Sequence, residues 1–175
     1  MCRGVAWLEL TAMVPLGEEC RRRAHGFLGS YLMKEKIITS CGGVIIYRGK
    51  ALILYYKNKR DNGWILPKGK LEQKESYRQA AIREVQEEAS VKAQILKSLG
   101  KTQYNFRHGS QLFSKTVHWF LMSSVSFYCK PQIEENFADV GYYKQHEAYH
   151  LLKYQDEKEI LCRAFNEYRH FKMKS

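Results

Sequence analysis

Apolar and polar positions along the chain alternate in blocks that predict strands at both ends of one central helix. Residues 37–47 and 51–57 are β-branched and aromatic runs separated by Arg48-Gly49-Lys50, the pattern of a hairpin. Gly42-Gly43 within the first run predicts a bulge or a close backbone approach. Residues 58–63 form a polar loop leading into Trp64-Ile65-Leu66-Pro67-Lys68-Gly69, where Pro67 and Gly69 fix a turn. Beyond the helix, residues 91–106 are β-rich pieces broken at Gly100, and residues 112–125 are a long β-type run, with Arg107-His108-Gly109-Ser110 as the turn between them. Residues 131–136 read as a loop and 139–144 as a short strand. Residues 156–171 place Ile160, Leu161, Ala164, Phe165 and Tyr168 at helical spacing, a core-packing amphipathic helix. The order β-β-β-α-β-β-β-α fits an α/β protein, a mixed sheet between helices in an α/β/α sandwich.

The central helix has its ends written into the sequence. Ser76, with Gln79 three residues on, is a capping-box start. No Gly or Pro interrupts residues 76–89, and most of them are strong helix formers. Tyr77, Ala81, Val85 and Ala89 make an apolar stripe with Ile82 on its flank. Glu84, Glu87 and Glu88 stand at i, i+3 and i+4 on the neighbouring face. Like charges so spaced cost only about 0.2–0.5 kcal/mol per pair, against a typical stability of about 5–15 kcal/mol. Their grouping alone therefore fits a solvated acidic face as well as a cation site. If they do hold a cation, hard carboxylate oxygens without Cys or His neighbours select Mg²⁺, or Mn²⁺, over zinc.

The whole stretch from Gly69 to Val91 resembles the signature of the Nudix hydrolase family. Gly69, Glu75, Arg83, Glu84, Val85, Glu87, Glu88 and Val91 fall in register with it. Ser90 departs, standing where the family has Gly. A Gly there commonly supplies the left-handed turn that ends the helix; Ser bears a steric cost for it or ends the helix differently. The WxLPKG lead-in is similar to the branch that includes dinucleoside polyphosphate hydrolases. The resemblance spans roughly residues 36–170, with its specific motifs in 64–91.

The resemblance implies a Nudix-like fold and Mg²⁺-dependent hydrolysis of a phosphoanhydride in a nucleoside diphosphate-linked compound, foremost a dinucleoside polyphosphate. It makes Glu87 and Glu88 metal ligands, Glu84 a ligand or the general base, and Gly69 a carbonyl donor. Glu75 and Arg83 become a pair orienting helix and loop. Glu134, Glu135 or Asp139 are candidates for a further carboxylate. Lys68, Lys70 and Lys115 are candidates for the substrate phosphates, and Tyr104, Phe106, Tyr142 and Tyr143 for stacking on a base. His118, on the opposite face of its strand from Lys115 and Trp119, reads as structural. Nucleoside triphosphates, RNA 5′ ends and a non-catalytic nucleotide-binding role are the competing readings.

Composition narrows the setting. The chain has 175 residues, 45% of them hydrophobic and 13% aromatic, suited to one core and incompatible with wholesale disorder. Cys2, Cys20, Cys41, Cys129 and Cys162 are odd in number with no CxxC spacing, which favours a reducing, cytoplasmic setting over disulfides or zinc. No apolar run reaches transmembrane length. A net charge of +11 favours a polyanionic partner, nucleotide phosphates first and RNA as an alternative. Residues 1–33 differ from the rest. They contain Arg3, Arg21, Arg22 and Arg23, whereas every lysine follows Met33. They are expected to be a disordered extension or sequence upstream of a true start at Met33, followed by the hydrolase domain over 34–175. Oligomeric state is left open.

Overall fold

The structure, a computed structural model, describes residues 35–59 and 61–173; the expected extension over 1–33 lies outside them. The first two apolar runs form the strands β1 (Lys36–Tyr47) and β2 (Lys50–Lys57), antiparallel across the predicted turn. The last two form β5 (Ala93–His108) and β6 (Gln111–Ser124), an antiparallel hairpin whose register shifts just before Gly100. β6 runs parallel to β1 along nearly its whole length. β7 (Phe137–Lys144) lies antiparallel to β2. The sheet is therefore mixed, as expected.

The structure adds short elements that periodicity did not resolve. The end of the expected polar loop is a strand, β3 (Asn62–Ile65), paired with β2, and Lys68–Lys70 is a second, β4, paired with β1. A 3₁₀ turn covers Ile133–Glu135. A helix of two turns, α2 (Gln145–Leu151), precedes the last helix, α3 (Gln155–Lys172). Such three- and four-residue strands carry too few positions to show a period, and pairing with longer neighbours creates them.

The central helix, α1, spans Tyr77–Ala89. Ser76 caps it: Ser76 Oγ accepts from the Gln79 amide at 3.3 Å, and Gln79 Oε1 accepts from the Ser76 amide at 2.9 Å. Ser90 ends it in the left-handed region, φ 56°, its amide donating to Gln86 O at 3.0 Å. Ser90 thus does the work expected of the missing glycine.

Strand alternation divides the core between the two faces of the sheet. On one, Cys41, Ile45, Leu52, Leu54, Phe120 and Met122 pack with Ala80, Ala81, Val85 and Ala89 of α1. On the other, Val44, Ile53, Val117, Trp119 and Leu121 pack with Ile160, Leu161, Ala164 and Phe165 of α3, and with Ala148 of α2. Helices on both faces of a mixed sheet make the expected sandwich.

The sheet is forked where the site lies. Along one edge, β1 pairs with β4 at Ser40–Gly42 and with β2 only at Ile46–Tyr47. Leu66 and Pro67 fill the gap between, and Pro67 O accepts from the Gly43 amide at 3.1 Å. Gly42 permits this: a Cβ there would stand 2.5 Å from Pro67 O. The glycine pair marks a close approach, one of its two expected readings.

Candidate active site

The fork sets the Trp64–Gly69 turn against one face of α1, and that face is not quite the predicted one. Ala80, Ala81, Glu84, Val85, Glu88 and Ala89 are buried, whereas Tyr77 is 44% and Ile82 39% exposed. The apolar stripe is rotated so that two of the three glutamates lie inside it. Tyr77 instead stacks on His118, ring centroids 4.0 Å apart. Glu87 is exposed.

Glu84 is 8% and Glu88 5% exposed. The Glu84 carboxylate lies against Gly69, where an added Cβ would stand 1.9 Å from Oε2. Oε2 of Glu88 accepts from the Lys68 amide at 3.0 Å. Burial raises the Glu84 pKa despite Arg83 beside it, and it raises that of Glu88 well above the usual carboxylate range despite Lys68. Glu135 adds to both shifts, because the 130–136 segment is tied to the end of α1 through Lys130 N to Ala89 O at 2.9 Å and Gln132 N to Glu88 O at 3.1 Å. Of the extra carboxylates named from sequence, Glu135 is thus near the cluster. Asp139 is on β7 opposite Tyr55, its Oδ1 accepting from the Val140 amide, and Glu134 lies in the 3₁₀ turn beside Glu135.

Arg83 holds the acidic face together. Its Nη2 donates to Glu75 Oε1 at 2.7 Å and to Lys70 O at 3.0 Å, and its Nε to Glu75 Oε2 at 3.2 Å. Its Nη1 donates to Glu84 Oε1 and to Glu87 Oε2, each at 2.9 Å. These bonds, that to Glu75 foremost, raise the Arg83 pKa and lower that of Glu75. The Glu75–Arg83 pair expected from the resemblance is therefore formed, and it ties the loop after β4 to α1.

Among the described residues no three His, Cys, Asp or Glu side chains converge as a ready-made cation cage, and Arg83 bridges Glu84 and Glu87. Magnesium does not need such a cage; it keeps several waters and binds through one or two carboxylates plus substrate phosphates. Two buried, hard-oxygen acids with raised pKa values, pressed against a glycine backbone, fit that ion.

Glu88 also lines a cleft of about 830 Å³ on the α3 side of the turn. Lys68, Lys115, Tyr104, Phe106, Tyr154 and Asp61 line it too. Tyr142 and Tyr143 do not: Tyr142 OH lies 3.0 Å from Ser124 Oγ, and Tyr143 packs on Trp64. The lysines divide as well. Lys70 is exposed and enters the site through its carbonyl. Lys68 Nζ is bound to Glu157 Oε1 at 2.6 Å, with 10% of its side chain exposed. Burial depresses the Lys68 pKa, but Glu157 and Glu88 outweigh burial and leave it raised. Lys115 forms no ion pair among the described residues, and burial, aided by Lys68 and opposed by Glu157 and Glu88, brings its pKa down to about 8. Glu157 itself went unnoticed in the sequence. Its signal was an acid on the stripe of Ile160, Leu161 and Ala164.

An α/β/α sandwich with a glutamate-rich helix under a Trp-Ile-Leu-Pro-Lys-Gly turn defines a class, and comparison with known proteins agrees with it. The NUDIX domain model matches residues 39–164, and the chain belongs to the Nudix family. It is 32% identical over 140 residues to a putative mutator protein MutT4 of Mycobacterium tuberculosis, covering 75% of this chain and 56% of that one. It is 38% identical over 84 residues to the chloroplastic Nudix hydrolase 21 of Arabidopsis thaliana, covering 47% and 41%. The chain spans about half the length of these curated relatives. Its fold is similar to that of a NUDIX hydrolase from Nitrosomonas europaea, with TM-score 0.60, 22% identity, and coverage of 78% and 74%. A C. elegans Ap4A hydrolase binary complex has TM-score 0.57 and 19% identity, covering 76% and 98%. Among the described residues no helix is long and apolar enough to cross a membrane.

Proposed function

We propose that the chain is a Mg²⁺-dependent pyrophosphohydrolase acting on nucleoside diphosphate-linked compounds, with dinucleoside polyphosphates as its substrate class. One observation carries the reading: the buried Glu88 stands where the acidic face of α1 opens into a cleft that also holds a cation, Lys115, and two aromatic rings, Tyr104 and Phe106. Glu87 and Glu88, with the Gly69 carbonyl, would hold the ion. Bound there, it supplies positive charge to the phosphate oxygens and lowers the pKa of water. The chain's own residues do the rest. Lys115 binds phosphate oxygens in the cleft. Tyr104, with Phe106 beside it, offers a face for a base. Arg83 and Glu75 hold the loop against α1, and Glu84, whose pKa burial raises above the ordinary carboxylate value, would serve as a ligand of the ion or as the base that takes a proton from the attacking water.

The dinucleoside class is favoured by the WxLPKG lead-in and by the size of the cleft, about 830 Å³, whose lining includes the rings of Tyr104, Phe106 and Tyr154. The test is a product assay with Mg²⁺ over diadenosine tetraphosphate, ATP, ADP-ribose and 5′-triphosphorylated RNA. Diadenosine tetraphosphate should be split fastest, and Glu88→Gln should slow that reaction at least about a hundredfold. Tight nucleotide binding without any turnover would instead make the chain a non-catalytic module.

A further inference from the structure

Glu157 is the one buried carboxylate of α3, and the roles assigned above do not use it. It is 1% exposed in the first turn of the helix. A buried carboxylate is tolerated only when its oxygens are partnered. Both partners of Glu157 come from the active-site turn: Oε2 accepts from the Leu66 amide at 2.8 Å, and Oε1 from Lys68 Nζ at 2.6 Å. The next groups of the same turn are held from other directions. Pro67 O accepts from the Gly43 amide of β1, and the Lys68 amide donates to Glu88 Oε2 of α1. Leu66, Pro67 and Lys68 are thus pinned in succession by α3, β1 and α1. Only the α3 contact grips two points of the turn through a single side chain.

We propose that Glu157 is a positioning residue of this site: by fixing the Leu66 amide and the Lys68 ammonium together, it sets where the Lys68 amide meets the Glu88 carboxylate. The claim rests on the proposed function only in supposing that Glu88 belongs to the hydrolytic machinery. It has a corollary for the lysines. The Lys68 charge is spent on Glu157 and that of Lys153, the third lysine lining the cleft, on Asp61, which leaves Lys115 as the cleft lysine outside an ion pair among the described residues.

The experiment uses the full chain in four forms: wild type, Lys68→Met, Glu157→Met and the double Glu157→Met/Lys68→Met. Glu157→Met alone strands a buried ammonium and is expected to melt lowest. The double variant removes both charges at similar volume and should recover much of that loss. Hydrogen exchange of single backbone amides is then compared between the double variant and Lys68→Met. Losing the grip of Glu157 should speed exchange at least about tenfold at Leu66 and also at Lys68, whose amide Glu157 does not touch. On any substrate the wild type hydrolyses, kcat should fall on the order of tenfold or more while KM moves less than about threefold. Faster exchange at Leu66 alone, with Lys68 and kcat unmoved, would reduce Glu157 to a local cap and overturn the proposal. If the wild type hydrolyses nothing, the hydrolase reading fails, and exchange at Lys68 still decides the positioning claim.

Discussion

Gly69 and Glu84 are in face-to-face contact: a Cβ on Gly69 would lie 1.9 Å from one Glu84 oxygen and 2.2 Å from the other. No rotamer adjustment of a few tenths of an ångström relieves such an overlap, so Gly69→Ala must displace the carboxylate. The backbone of β4 can stay, because Gly69 pairs with Cys41 through main-chain groups. We expect turnover to fall on the order of a hundredfold, with a melting temperature lowered by only a few degrees. A Gly69→Ala protein with wild-type kcat would show that Glu84 need not lie on the turn.

Arg83 is the tie between the loop at Glu75 and the acidic face of α1. Arg83→Lys keeps the charge but cannot bridge Glu75, Glu84, Glu87 and the Lys70 carbonyl at once. Partial exposure moderates the stability cost to about 1–2 kcal/mol, measurable by urea unfolding. Activity should drop further than stability alone accounts for, because Glu84 and Glu87 lose their common partner.

The cleft lysine gives a pH signature with a definite sign. Lys115 titrates near pH 8 when folded and near 10.5 when unfolded. Between these values the unfolded chain binds the extra proton, so this residue makes stability rise with pH over that window. Substrate binding behaves oppositely. If Lys115 binds phosphate as proposed, its ammonium is lost above about pH 8, so KM should climb there, and Lys115→Arg should move that climb to higher pH. An unchanged KM profile in Lys115→Arg would take Lys115 out of phosphate binding.

Ser90 holds a left-handed conformation that costs a residue with a Cβ about 1 kcal/mol. Ser90→Gly should therefore stabilise the fold by about 0.5–1 kcal/mol, less what glycine loses in chain entropy. It should leave kcat unaltered, since the cap lies beyond the carboxylates. Thermal melts and one rate measurement suffice.

Much of this molecule was legible in its sequence because the signals are local. The capping box at Ser76, the turn Arg48-Gly49-Lys50, the long strands and the i, i+3, i+4 spacing of Glu84, Glu87 and Glu88 each depend on a few neighbouring residues. Local periodicity was also enough to place one helix on each face of a mixed sheet. It misjudged the rotation of α1 by treating Tyr77 and Ile82 as core and the glutamates as their neighbours. A helix sees its surroundings only after the sheet has formed.

The acidic helix, its cap and the loop that precedes it were determined by the chain's own order of residues. Tertiary structure decided which acids are buried, which lysine is tied into an ion pair with Glu157, and that Leu66 and Pro67 fill the fork between two strands. Those outcomes turn on partners 89 and 91 residues apart, Lys68 and Leu66 with Glu157. No periodic pattern encodes such a meeting; it arises when the sheet brings α3 against the turn and buried polar groups must find one another.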